Sequence, residues 1–138
     1  MDLARVRETL IKHEGLRLDL YKDSLGIYTI GVGHNIQERG ITAAVAKLML
    51  DEDIDEAVKD LRRNISFFDT LPQAIKEALV NLCFNMGIPR LMQFRKTLAF
   101  LRDGKYEKAA NELLDSRYAT QVGYRAIEIA AMIRSEEE

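Results

Sequence analysis

A chain of 138 residues, 47% hydrophobic and 30% charged, is sized and composed for one compact domain, which excludes disorder, a collagen-like repeat and several domains. Twenty Lys and Arg against 22 Asp and Glu give a formal charge of -2, so the basic footprint of a nucleic-acid partner is missing. The single cysteine, Cys83, cannot close an internal disulfide and no Cys/His group has metal-ligand spacing, so the fold is expected to rest on packing, without metal or other cofactor. The opening MDLARVRETLIKHEG carries charges throughout its length. That pattern fits neither a signal peptide nor a membrane span, and predicts a cytoplasmic chain without stable membrane insertion.

Leu3, Val6, Leu10 and Ile11 recur at helical spacing after a potential Asp2 cap, and Gly15 stands where a helix would stop, which predicts a helix over 3–14. From Leu16 to Tyr21 apolar and polar residues alternate, Asp23-Ser24-Leu25-Gly26 makes a turn, and Ile27 to Ile30 resumes the apolar run, the pattern of a β-hairpin. Gly31 and Gly33 flank Val32, so the backbone before His34 is free to take positive φ or to approach another segment closely. Thr42 then caps a long helix to about Arg63, whose apolar stripe is broken by Asp51, Glu52, Asp53, Asp55 and Glu56, as expected where a helix links two lobes or buries different surfaces at its two ends. A helix opened by Leu71-Pro72 and ended by Gly87 carries Ile75, Ala78, Leu79, Leu82, Cys83 and Met86, with Val80 and Phe84 widening its stripe; it is the expected central core helix. Three shorter helices are predicted over about 89–102, 106–115 and 122–134.

Glu14 falls at the end of the first helix, where free carbonyls disfavour a negative charge and favour a carboxyl that keeps its proton. Asp23 opens the turn, and Thr29 in the returning strand can turn its hydroxyl toward that carboxylate across the hairpin mouth. Each has a plainer reading taken singly: a frayed surface Glu, an Asx turn residue, a Thr in a strand. Asn81 and Asn85 share one face of an apolar helix, so as buried amides they need partners, which a bound ligand or loop backbone would supply. Phe84 fits either a flat ligand platform or the core, and Cys83 an inert buried thiol. The acidic run around Asp53 lacks the glycine and ligand pattern of a calcium loop and reads as a solvated helix face.

Taken together, Glu14-Gly15-Leu16-Arg17-Leu18, then Tyr21-Lys22-Asp23, then Tyr28-Thr29-Ile30-Gly31-Val32-Gly33-His34 closely resemble the active-site segment of the phage T4-type lysozymes, glycoside hydrolase family 24. Asn81 with Phe84-Asn85-Met86-Gly87, and Ser116-Arg117-Tyr118 with Gln121 and Arg125-Ala126, extend the resemblance over about 3–134. It implies an α+β, mainly α, lysozyme-like fold in a single domain over 1–138, with a small hairpin lobe at about 15–41, a long connecting helix and a helical lobe at about 65–134 joined by the helix 3–14. It also implies hydrolysis of the β-1,4 bond between N-acetylmuramic acid and N-acetylglucosamine, with Glu14 as general acid, Asp23 as second carboxylate and Thr29 helping to hold the attacking water. Such cleavage requires one protonated and one ionised carboxyl, and the implied inverting course asks for a carboxyl separation on the order of 6.5–9.5 Å. Gly31, His34, Asn81, Phe84, Asn85, Tyr118 and Arg125 resemble supporting or substrate-binding positions. Arg125 resembles the arginine that pairs with the catalytic Glu, and His34 would pair with Asp53 as a structural ion pair.

Three departures from the family pattern stand out. Only seven residues separate His34 from Thr42, so one cleft wall should be reduced; Tyr118 stands where relatives commonly have Trp; and the chain closes on Ser135 and three Glu. Those three Glu outweigh the formal charge of -2, which predicts weaker and more salt-tolerant wall affinity than a basic lysozyme would have. The expected setting is a monomeric endolysin, held in the host cytoplasm until a holin or tail assembly gives it access to peptidoglycan. A lytic transglycosylase and a non-catalytic wall-binding or regulatory module are the alternatives.

Overall fold

A computed structural model describes residues 1–136, so Glu137 and Glu138 of the acidic tail lie outside the described residues. Helix α1 (Leu3–Glu14) starts where Asp2 Oδ1 accepts the Arg5 N–H at 3.2 Å and stops at Gly15, whose N–H returns to the Ile11 carbonyl at 2.8 Å. Strands β1 (Arg17–Lys22), β2 (Tyr28–Gly31) and β3 (His34–Asn35) form an antiparallel sheet in that order, with Tyr21 opposite Thr29, Lys22 opposite Tyr28 and Thr29 opposite Asn35. The expected hairpin is therefore a three-stranded sheet. A two-residue β3 is too short to show any alternation in the sequence. A single helical turn, α2 (Ile36–Arg39), follows, capped by Asn35 Oδ1 on the Glu38 N–H. The long helix α3 (Ala43–Asn64) begins at the expected Thr42, whose Oγ1 accepts the Val45 N–H at 3.2 Å.

The chain divides into two compact units, Met1–Leu48 and the residues from Met49 onward. The first unit has little apolar interior: Thr29, 3% exposed, is its only buried residue, while Leu3, Val6, Leu10 and Ile11 of α1 are 38–54% exposed. A short helix beside a small sheet has too little chain to surround a core.

The second unit holds the hydrophobic core. From α3 only Ala57 and Leu61 are buried, because the acidic run occupies the preceding turns. A 3-10 turn over Phe68–Thr70 leads to α4 (Gln73–Met86), α5 (Ile88–Leu91), α6 (Arg95–Arg102), α7 (Tyr106–Leu114), α8 (Arg117–Val122) and α9 (Tyr124–Arg134). Ile75, Leu79, Leu82, Leu91, Leu101, Leu113, Ile129 and Ile133 are almost wholly buried, each contributing about 1.5–3 kcal/mol by leaving water. Helix α9 packs on both α4 and α7, and α6 packs on α7.

Two expectations need correction here. Helix α4 is not surrounded on all sides: Val80 is half-buried and Phe84 is 47% exposed, so one face is buried and the other open. The three expected C-terminal helices are five among the described residues: the chain turns at Met92-Gln93-Phe94 between α5 and α6, and α8 forms over a stretch with no predicted helix, parted from α9 by Gly123 at φ +60°. The whole remains α+β and mainly α, as the resemblance implied.

Candidate active site

The first unit brings Glu14, Asp23 and Thr29 onto a single turn-and-sheet framework. Asp23 is held as an Asx turn: its Oδ1 accepts from the Leu25 N–H at 2.8 Å and the Ile27 N–H at 2.9 Å, while its own N–H donates to the Ile27 carbonyl at 2.9 Å. One carboxylate oxygen is thus built into the hairpin, and Oδ2 is left without a partner within the unit. Thr29 Oγ1 donates to the same Ile27 carbonyl at 2.8 Å, so its proton is committed and its lone pairs remain as acceptors.

Glu14, the last residue of α1, lies against the sheet end. A Cβ built on Gly33 would fall 2.8 Å from Glu14 Oε2 and 3.1 Å from its Cδ, and Gly33 sits at φ +63°. The positive φ favours glycine, and a side chain there would have to push the flexible Glu14 carboxyl aside. Within the unit no group hydrogen-bonds the Glu14 carboxylate. Gly31 ends β2 at φ +71°, opposite Arg17. His34 Nε2 lies 2.6 Å from the Gly40 carbonyl; because a carbonyl only accepts, that nitrogen carries the proton.

The remaining predicted residues stand in the second unit, and four of them pair with one another. Arg125 donates from Nε and Nη2 to Asn81 Oδ1 at 3.0 and 2.8 Å. Tyr118 donates its hydroxyl to Asn85 Oδ1 at 2.8 Å and meets Phe94 edge-on, centroids 6.2 Å apart. Burial pushes the Tyr118 phenol up in pKa, with the Arg125 and Arg90 guanidiniums pulling it back. Asn81 and Asn85 are exposed rather than buried, and protein side chains, not loop backbone, occupy their amide oxygens. Their Nδ2 donors stay open. Phe84 is exposed rather than in the core, and with Asn81, Arg125, Val80, Glu77, Leu50 and Ile54 it lines a cavity of about 250 Å³.

Cys83 is buried, its thiol pushed up in pKa chiefly by that burial and secondarily by Asp60. Asp53 lies on the exposed acidic face of α3. Among the described residues no cluster of His, Cys, Asp and Glu is arranged to hold a metal ion, and no helix is long and apolar enough to cross a membrane. Sequence reasoning missed the contact of Gly33 with Glu14 and the stacking of Arg17 on Tyr21, whose guanidinium carbon lies 4.1 Å from the ring centroid. The glycine pair signalled the first, and the same-face spacing of residues 17 and 21 in a strand could have signalled the second.

A helix-end Glu beside a sheet, an Asx-turn Asp and an inward Thr thus stand in one small unit of a lysozyme-like fold. The phage lysozyme family model matches residues 11–137, and the chain belongs to that family. It is a glycoside hydrolase, a peptidoglycan-degrading lysozyme. "Probable T4-type lysozyme 1" of Dictyostelium discoideum is 25% identical over 162 aligned positions, covering 96% of this chain and 95% of the relative. That alignment is longer than the chain's 138 residues, so the relative carries residues that this chain lacks. The "Endolysin" of Salmonella phage P22 is 38% identical over 89 positions, 56% of this chain and 58% of the relative. "Peptidoglycan hydrolase gp36" of Pseudomonas phage phiKMV is 28% identical over 91% of this chain, matching 14% of that larger protein.

Proposed function

We propose that the chain hydrolyses the β-1,4 bond between N-acetylmuramic acid and N-acetylglucosamine with inversion at the anomeric carbon. The observation that carries this reading is the divided carboxylate of Asp23. Its Oδ1 is fixed by two backbone amides, so Oδ2 is held in one direction as a base. A water donating one proton to Oδ2 and the other to the Thr29 lone pair has its own lone pair turned outward, toward the sugar. As that water attacks, Asp23 takes its proton and Glu14 gives a proton to the departing glycosidic oxygen. The bond breaks with both electrons leaving on that oxygen, through an oxocarbenium-like transition state.

Within the same proposal the open amide donors of Asn81 and Asn85 bind sugar hydroxyls, and exposed Phe84 gives a ring a flat apolar face. Arg125 and Tyr118 orient those two amides. His34 fixes the loop after β3 through Gly40. The setting that suits this activity is host-cell lysis by an endolysin that reaches the wall through a holin or a tail assembly.

Digestion of purified sacculi tests the reading. The expected products carry one new reducing end per bond cleaved, with the α anomer appearing first by proton NMR. Products ending in 1,6-anhydromuramic acid would assign a lytic transglycosylase instead, since that reaction consumes no water.

Gly33→Ala follows from the same roles. A methyl group there must displace the Glu14 carboxyl and holds a strained φ, so turnover should fall about 100-fold and stability by about 1 kcal/mol. Turnover on sacculi and a thermal melt read the two effects separately, and wild-type turnover would mean that the position of Glu14 is immaterial.

A further inference from the structure

Tyr21 and Thr29 are direct cross-strand partners and so share one face of the sheet; the pairing of β1 with β2 shifts register between Arg17 and Tyr21, and what brings the Arg17 guanidinium to that face is its stacking on the Tyr21 ring. The Arg17 guanidinium carbon stands 4.1 Å over the centroid of the half-buried Tyr21 ring. A guanidinium lying on a ring loses much of its rotamer freedom, yet its N–H donors lie in its own plane and are not used by the stack. Within the unit nothing else occupies them: Arg17 has no carboxylate or carbonyl partner, although Asp19 is only two residues away. The result is an oriented, unneutralised cationic fork on the face that carries the water-binding Thr29. A structural arginine of an exposed strand would be expected to satisfy itself on the nearby Asp; this one is aimed elsewhere.

We propose that Arg17, steadied by Tyr21, is a specificity-determining residue that binds a carboxylate of the glycan substrate beside the bond to be cleaved. Fork-to-carboxylate pairing is the recognition that guanidinium geometry favours. Peptidoglycan offers carboxylates from two sources, the stem peptide and, where the peptide has been removed, the lactyl group of muramic acid. This assignment rests on the peptidoglycan reading above.

Binding in a Glu14→Gln background, where no turnover intervenes, keeps the two readings apart. Binding isotherms are measured on native sacculi, on sacculi whose carboxylates have been converted to neutral amides, and on glycan stripped of peptide by an amidase. Arg17→Gln should weaken binding to native sacculi about tenfold, less at high salt, and leave binding to amidated sacculi unchanged. On stripped glycan, where each removed peptide leaves a lactyl carboxylate behind, a vanished loss assigns the stem peptide, and a persisting loss shows that the fork also takes the lactyl carboxylate. Tyr21→Leu, which keeps the charge but removes its platform, should give a smaller loss with the same substrate dependence. An equal loss on native and amidated sacculi, or no loss on either, overturns the proposal. Absence of both new reducing ends and anhydro ends in the wild-type digestion would overturn the peptidoglycan reading instead.

Discussion

Glu14→Gln should lower turnover on sacculi by about 10²–10⁴-fold while leaving the melting temperature essentially where it was. The activity loss follows from the proton: glutamine has the size of glutamic acid but nothing to give to a departing sugar oxygen. The unchanged stability follows from the surroundings. Glu14 is exposed, and within the first unit its carboxylate bonds to nothing that its removal would leave unpaired. It also ends α1, where a negative charge opposes the helix dipole, so the neutral amide should if anything help by a few tenths of a kcal/mol. The isosteric side chain keeps the contact with Gly33, which separates loss of the proton from loss of position. Turbidity clearing and a thermal melt on the same preparations check both halves. Undiminished clearing would remove Glu14 from the mechanism.

The parts of this site that were legible in the sequence are those encoded locally. Alternation from Leu16 to Tyr21 and the Asp23–Gly26 turn signal were enough for the hairpin, and the turn's hydrogen bonds, Gly26 N–H to Asp23 O and Asp23 N–H to Ile27 O, lie within five residues of chain. The face of α4 that carries Ile75, Ala78, Leu79 and Leu82 was legible for the same reason. Contacts between distant residues were not. Gly33 was conspicuous as a glycine, but no local pattern says that its missing side chain makes room for Glu14. Asn85 was expected to face saccharide or loop, and a tyrosine 33 residues further on takes its oxygen. The break between α5 and α6 escaped because Leu91, Phe94, Leu98 and Leu101 continue a helical period across it without Gly or Pro. By contrast α8 had a readable start in Ser116, whose Oγ accepts the Ala119 N–H. The stripe of α1 shows the other limit of periodicity: it marks an apolar face without saying whether anything covers it.

Asp23 was weighed from the sequence as either turn residue or catalyst, and its two oxygens allow both roles to be measured apart. In Asp23→Asn the amide oxygen can replace Oδ1 and keep the Leu25 and Ile27 N–H bonds, so the hairpin should hold and the melting temperature should move by no more than about 2 °C. The amide nitrogen then stands where Oδ2 stood. A donor replaces the acceptor, so a water there is turned the wrong way and its proton has no base, and turnover should fall about 10²–10³-fold. Asp23→Ala removes both oxygens. Two backbone amides lose their acceptor, which should cost about 1–2 kcal/mol and a few degrees of melting temperature, yet turnover should fall no further than in the Asn variant by more than a few-fold. The pair is decisive because the two roles predict opposite orderings. A turn-only Asp23 would leave the Asn variant active and make Ala the damaging change, whereas the proposed base makes both inactive and only Ala less stable. Thr29→Val supplies the matching control. It removes the lone pairs while keeping the shape of a 3%-exposed side chain, and combined with Asp23→Asn it should lose much less than the product of the two single effects, because both residues hold the same water.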